Sequence, residues 1–138
     1  MNRKKSREVA MKLVFEMSIN KESYEYIIGM FKENNEENLK TFDMEYIERA
    51  VKGVYDNIEF IDKKIGDHLK SWKIDRISKI DLAILRLCIY EIFFEDGIPN
   101  SVSINEGIEL AKVYSQDSKG SFINGVLGSI EREIDSKE

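Results

Sequence analysis

Apolar side chains recur at helical spacing along most of the chain. Val9, Leu13 and Met17 are four residues apart, and from Ile47 to Ile65 the apolar positions alternate between steps of four and three. Such spacing is typical of helices that pack on other helices. No segment shows a strand pattern of comparable length. The pattern therefore predicts an all-α protein of about seven helices.

The expected helices are separated by polar or turn-forming residues. Residues 33–38 predict a polar loop, and Ser103 with Glu106 has the spacing of a capping box, although Asn100 or Ser101 could cap that helix instead. The first two predicted helices cover about 3–19 and 22–32. Two more lie within 43–69 and are separated near residues 56–57. The fifth covers 77–94, the sixth begins between 100 and 103, and the seventh begins near 118.

The segment 77–94 is the most apolar of the chain. A helix that is apolar nearly all round is typically central. Arg86 lies within it, between Leu85 and Leu87, and a buried arginine requires a carboxylate partner. We therefore expect a structural ion pair at Arg86.

Length and composition place the chain among small globular proteins. Its 138 residues fit one domain, with 42% hydrophobic and 34% charged residues. The single cysteine, Cys88, lies in the apolar segment and is expected to be a core side chain in a reducing compartment. No signal-peptide pattern and no membrane-length apolar run is present, so we expect a cytoplasmic protein.

Charge is distributed unevenly along the chain. Residues 1–12 hold five of the 21 bases and one of the 26 acids, so this segment is +4 while the remainder is −9. An acidic body with one basic end would hold a polyanion at that end only. The basic start of the first helix is therefore the candidate binding surface.

Catalytic chemistry has little support in the residues. The only histidine, His68, is expected at a helix surface or half-buried, and Cys88 lies in the core, so neither a Cys–His pair nor a histidine metal site is predicted. No phosphate-binding or metalloprotease motif is present. We expect no enzyme activity, no catalytic residue, no metal and no cofactor.

Helical geometry suggests that Lys4, Arg7, Met11 and Phe15 form a ladder on a different side of the first helix from its core face. Such a side would place phosphate-binding cations next to an aromatic base-stacking platform. The alternative is that the charges form a solvated face and that Phe15 packs against another helix.

Four segments together resemble the NusB family of bacterial transcription antitermination factors. They are REVAMKLVF (7–15), IDLAILRLCIYEI (80–92), IPNSVSINEGIELAK (98–112) and FINGVL (122–127). The resemblance implies an all-helical protein of two small bundles, here about 1–70 and 71–138, without catalytic activity. It also implies pairing with the small-subunit ribosomal protein NusE.

By the same resemblance, the pair binds a single-stranded boxA sequence in nascent ribosomal RNA and joins other antitermination factors on RNA polymerase to suppress termination. Asp81 matches a position that faces the protein partner. The positions that match the RNA-contacting residues of the family are Arg3, Lys4, Lys5, Arg7, Phe15, Tyr114, Ser118 and Phe122.

Two other classes are compatible with parts of the pattern. One is a helical adaptor that binds only proteins and whose basic end is a solvated face. The other is an accessory module of an RNA methyltransferase, which ranks last because these 138 residues contain no pattern for a cofactor-binding domain.

Overall fold

The computed structural model describes residues 2–69, 73–116 and 120–136, and within them the fold consists of seven α-helices and two 3₁₀ segments. The predicted all-α class is confirmed. The helices are α1 (Arg3–Asn20), α2 (Tyr24–Asn34), α3 (Met44–Asp56), α4 (Ile58–Asp67), α5 (Lys79–Phe94), α6 (Asn100–Tyr114) and α7 (Ser121–Ser136). The 3₁₀ segments are Glu36–Thr41 and Ile74–Arg76.

Side-chain caps fix where several helices begin. At each of these starts, an oxygen-bearing side chain accepts the backbone N–H three residues further on, which satisfies a donor that the helix leaves unpaired. The capping residues are Asn2 for α1, Ser23 for α2, Asp43 for α3 and Ser78 for α5.

Helix α5 is the centre of the molecule. It packs against α1, α3, α4, α6 and α7. Ile84, Leu85 and Ile89 on this helix have no exposed surface, as the apolar sequence of the segment predicts. One cluster of buried apolar side chains includes residues from both expected bundles. Helix α5 thus packs against helices of both expected bundles. The division into two bundles near residue 70 stays a prediction.

Glycine allows α6 to approach α5 closely. A Cβ atom at Gly107 would lie 2.3 Å from Cys88 Sγ, far inside van der Waals contact. Burial raises the pKa of the Cys88 thiol, which keeps this side chain a neutral part of the packing. Any larger residue at position 107 would push the two helices apart.

The ion pair expected at Arg86 is confirmed. Its guanidinium donates two hydrogen bonds of 2.8 Å to the carboxylate of Asp62 on α4. This bidentate pair links α4 to α5 at the edge of the core. Arg86 is therefore a structural residue.

Three local expectations were wrong. Part of the polar segment expected to be a loop forms the 3₁₀ segment Glu36–Thr41. Ser103 does not cap α6 but lies inside it, where its hydroxyl is buried and donates to Glu91. Among the described residues no side chain caps α6, whose N-terminal cap is Pro99. Helix α7 begins at Ser121, about three residues later than expected.

Candidate nucleic-acid interface

The start of α1 presents two lysines to solvent. Asn2 caps the helix by accepting the N–H of Lys5 at 3.0 Å, which directs the chain into a regular first turn. Lys4 and Lys5 are exposed, and neither makes an ion pair with any residue that the structure describes. Both ammonium groups are therefore available to an anion.

Arg3 lies at the same end but is partly engaged. Its guanidinium donates a 2.8 Å hydrogen bond to Asp43 and lies 4.6 Å above the centre of the Tyr46 ring. The side chain remains 42% exposed. Because a guanidinium carries five N–H donors, the contact with Asp43 leaves donors that a phosphate could use.

Arg7 is buried, so its predicted role as a phosphate-binding residue is wrong. Only 4% of Arg7 is exposed, and its Nε and Nη2 donate hydrogen bonds of 2.8 and 3.0 Å to the two oxygens of Glu91. Burial alone would lower the pKa of Arg7, but the bonds to Glu91 and its charge outweigh that effect and raise it. The guanidinium is therefore charged and committed inside the core.

Glu91 is the centre of a buried polar network that joins four helices. Besides Arg7 on α1, its carboxylate accepts the hydroxyl of Tyr46 on α3 and, at 2.8 Å, that of Ser103 on α6. Burial and the charge of Glu91 raise the pKa of Tyr46, so this phenol stays protonated as a donor. We define these four residues as the Glu91 network.

The predicted ladder of basic and aromatic residues on α1 does not form a separate exposed face. Met11 has no exposed surface and Arg7 is buried, so the middle of the ladder faces the core. Phe15 is half-buried and packs against the core cluster. The physical reason is that α1 packs against both α3 and α5 and therefore buries a wider part of its circumference than one stripe.

Lys12 is a further candidate, which the sequence pattern did not predict. Its ammonium lies 5.3 Å above the centre of the Tyr114 ring at the end of α6. The contact is a cation–π interaction between two solvent-accessible side chains. Nothing in the local sequence indicated this pairing, because the two residues are 102 positions apart.

A shallow groove lies between α1 and α6. Lys4 lines the groove, but so do Glu8, Glu106 and Glu109. The carboxylates make the groove itself unsuitable for a phosphate. Anions would therefore contact the exposed lysines at its edge rather than its floor.

Phe122 at the start of α7 lies near Asp81 at the start of α5. Gly120, just before α7, packs closely on Ala111 of α6, which places the start of α7 beside the end of α6. Phe122 is half-buried and lines a pocket of about 180 Å³ together with Asp81. The predicted contact at Ser118 lies outside the described residues.

Other chemistry has little structural support. Within residues 2–69, 73–116 and 120–136, no three histidine, cysteine or carboxylate side chains are grouped to hold a metal ion. None of the helices in these ranges has the length and apolar character to cross a membrane. His68 is half-buried, with Nδ1 2.7 Å from Ser129 Oγ and Nε2 3.3 Å from Glu133 Oε1, so it joins α4 to α7.

Fold and surface together define an all-helical protein with basic and aromatic side chains at the start of α1, the end of α6 and the start of α7. Surfaces that bind single-stranded nucleic acid have this composition. The model of the NusB family matches residues 4–132. The chain belongs to the NusB family.

Similar proteins and structures carry the same name. The chain is 57% identical to the transcription antitermination protein NusB of Clostridium novyi over 94% of this chain and 98% of that protein. It is 55% identical to the NusB protein of Clostridium acetobutylicum over 99% of this chain and 100% of that protein.

Among solved structures, Thermotoga maritima NusB has a TM-score of 0.81 at 33% identity and covers 96% of this chain and 92% of its own. A structure of the antitermination factors NusB and NusE in complex with double-stranded RNA has a TM-score of 0.81 at 28% identity. The match covers 94% of this chain and 96% of the chain in that structure.

Proposed function

We propose that this protein is a transcription antitermination factor that binds RNA together with the ribosomal protein NusE. Membership of the NusB family and relatives of that name support this function. The similar structure in which NusB and NusE are in complex with double-stranded RNA supports NusE and RNA as the two partners. The observation that carries the proposal is the exposed pair Lys4 and Lys5 at the start of α1, which make no ion pair with the residues that the structure describes.

The RNA is a boxA-like single strand in nascent ribosomal RNA, and it follows the path from α1 to α7. Lys4 and Lys5 bind phosphates first, with Arg3 as a further donor. Lys12 and Tyr114 come next, where the ammonium attracts a phosphate and the ring offers a stacking surface. Phe122 ends the path in the described part of the chain, and Ser118 is proposed as a further RNA-binding residue.

Phe15 has a secondary role in this arrangement. Because it is half-buried and packs on the core, only part of its side chain is accessible to RNA. We propose that it supports the shape of the surface near the end of α1 and contacts RNA weakly.

NusE completes the binding unit. The chain outside its first twelve residues carries a net charge of −9, which attracts a basic ribosomal protein. The resemblance assigns Asp81 to that contact. The pair then joins other antitermination factors and RNA polymerase and suppresses termination.

The protein acts by binding alone and has no catalytic role. The cysteine thiol is buried with a raised pKa, so it is not a nucleophile. The one histidine is engaged with Ser129 and Glu133 in the middle and last turns of α7, away from the proposed RNA path.

Salt-dependent RNA titration tests this function. Each phosphate contact to a single strand adds about 0.7 to the slope of log affinity against log salt. The double variant Lys4→Ala/Lys5→Ala should therefore flatten the slope by about 1.4 for a boxA-like RNA, with and without NusE. The matched control is Lys52→Ala/Lys63→Ala, which removes the same charge from α3 and α4.

The control variant should keep the slope of the wild-type protein. If the slope of Lys4→Ala/Lys5→Ala also stays unchanged, RNA does not bind at the start of α1. If the wild-type protein binds NusE but binds neither boxA-like nor scrambled RNA, the chain is a protein-binding adaptor.

A further inference from the structure

A wide groove lies at the end of α1, where α3 ends and α4 begins. It has a volume of about 830 Å³, and its lining includes Val14 and Met17 of α1, Val54 of α3 and Ile58 of α4. Val14, Met17 and Val54 are buried members of the core. The groove therefore has an apolar floor that is continuous with the core of the protein.

Exposed aromatic side chains form one edge of this groove. Tyr55 is 46% exposed and Phe60 is 39% exposed, and both line the groove. The Phe60 ring lies 5.5 Å from the ring of Phe94, which is also exposed. Aromatic residues that stay accessible beside an apolar surface are typical of protein-binding sites. We call the groove together with these three rings the α1–α4 groove.

The charges that line the α1–α4 groove leave it negative. Asp56 and Arg86 are each neutralised by an ion pair, with Lys52 at 2.7 Å and with Asp62 at 2.8 Å. The remaining charged residues of the lining make no ion pair with any residue that the structure describes. They are Lys21, Glu22 and Glu59. One negative charge is therefore in excess.

Helix ends add to this negative charge. Helix α1 ends at Asn20 and α3 ends at Asp56, both beside the groove, and neither helix has a basic residue in its last turn. The C-terminal end of a helix carries roughly half a negative charge. Helix α4 begins here and contributes the opposite charge only once. The groove therefore attracts cations and repels the phosphates of RNA.

The α1–α4 groove is remote from both contacts of the proposed function. At about 1.5 Å per residue, the end of α1 at Asn20 lies about 22 Å from Lys5. Phe94 and Asp81 are near opposite ends of α5, about 20 Å apart by the same measure. An occupant of the groove would thus leave the proposed RNA and NusE contacts free.

We propose that the α1–α4 groove binds a short, basic, amphipathic helix of a further protein partner. Such helices insert apolar side chains at steps of three and four into a groove. The volume lies within the roughly 300–1,000 Å³ of ligand pockets, so several apolar side chains fit at once. Lysines or arginines on the flanks of the helix face Glu22, Glu59 and the two negative helix ends. The excess of acids over bases in the rest of the chain draws the same partner towards this face.

A model peptide tests the groove in the full-length protein. The probe is a helix of leucine and lysine of about five turns, with leucines at steps of three and four, and the control peptide replaces each lysine by glutamate. Calorimetric titration should show one leucine–lysine peptide per protein and binding of the leucine–glutamate peptide at least about tenfold weaker. Absence of binding by the leucine–lysine peptide, or equal binding of both peptides, would overturn the proposal.

An aromatic substitution places the peptide. Tyr55→Ala should weaken binding of the leucine–lysine peptide by about tenfold, because an aromatic anchor at the edge of the groove is lost. Tyr26→Ala is the matched control, since Tyr26 is 53% exposed on α2 and does not line the groove. The control should keep the wild-type affinity. If Tyr55→Ala binds as the wild type does, or if both variants lose affinity equally, the peptide binds elsewhere and the proposal fails.

A charge substitution that leaves the apolar floor intact gives an independent result. Glu22→Gln/Glu59→Gln should weaken the leucine–lysine peptide by about fivefold at low salt, and the difference should shrink near 1 M salt. The control Glu33→Gln/Glu37→Gln removes two exposed acids outside the groove and should change little. Equal weakening by the two double variants would show attraction to the whole acidic body and would overturn the site.

Two further measurements distinguish other occupants. Affinities for boxA-like RNA and for NusE should be the same in Tyr55→Ala and in the wild type, and a loss of either would assign the groove to that contact instead. Sedimentation equilibrium should show no self-association that depends on Tyr55. A homodimer that Tyr55→Ala dissociates would mean that a second copy covers the groove, and it would refute the proposal without affecting the proposed function.

Discussion

Replacing Arg7 by alanine separates a structural role from a role in RNA binding. The change removes two hydrogen bonds of 2.8 and 3.0 Å and leaves the buried carboxylate of Glu91 without its counter-charge. Breaking a buried ion pair by removing one partner costs about 3–5 kcal/mol. Tyr46 and Ser103 still donate to Glu91, so we expect the lower end, about 3 kcal/mol.

This loss is large enough to measure by thermal or urea unfolding. At about 3 °C per kcal/mol for a chain of this length, the melting temperature should fall by roughly 10 °C. The RNA affinity of the folded protein, measured well below that temperature, should change little. Arg3→Ala is the matched control for the loss of stability. Its pair with Asp43 is exposed, and such pairs contribute about 0–1 kcal/mol to the free energy of unfolding.

A different pair of results would refute this reasoning. If Arg7→Ala melts at nearly the wild-type temperature and loses RNA affinity with a flatter salt slope, the arginine contacts phosphate. If Arg3→Ala costs as much stability as Arg7→Ala, burial is not what makes the contact with Glu91 strong.

Two more changes test packing and charge. Gly107→Ala should destabilise the protein by about 1–2 kcal/mol in urea unfolding, because overpacking against Cys88 exceeds the gain in helix propensity. Gly29 has open space around it, so Gly29→Ala should stabilise the protein slightly in the same measurement. Burial raises the pKa of Glu95, but hydrogen bonds from Arg49 and Tyr90 outweigh this and lower it. The stabilisation by ionised Glu95 is therefore present above a pH of about 4.5 and is lost as the pH falls through the lower pKa of the folded protein. The free energy of unfolding of Glu95→Gln should therefore differ from that of the wild type at about pH 7 and converge with it in acid. A difference that stays constant with pH would contradict this.

The helices and the centre of the fold could be predicted because they depend on local pattern. The segment that became α5 is apolar on all sides, and only a helix with neighbours all round can bury it. Arg86 was assigned correctly for a related reason, since its apolar neighbours required burial and burial required a carboxylate.

The site was less predictable because it depends on contacts between distant residues. Angular spacing placed Arg7 and Met11 on a separate face, but it does not show how many helices surround α1. Glu91 and Ser103 are 84 and 96 positions from Arg7, and no local signal joins them. For the same reason, neither the Lys12 and Tyr114 contact nor the pocket at Asp81 could be read from the sequence pattern.

The Glu91 network also sets a time order during synthesis. Helix α1 emerges from the ribosome first, yet its buried arginine has no counter-charge until residue 91, which follows 84 positions later. At about 5–20 residues per second, the first helix waits roughly 4–17 s for that partner, and longer for Ser103. The lysines at the start of α1 therefore reach their final positions only after most of the chain has been made.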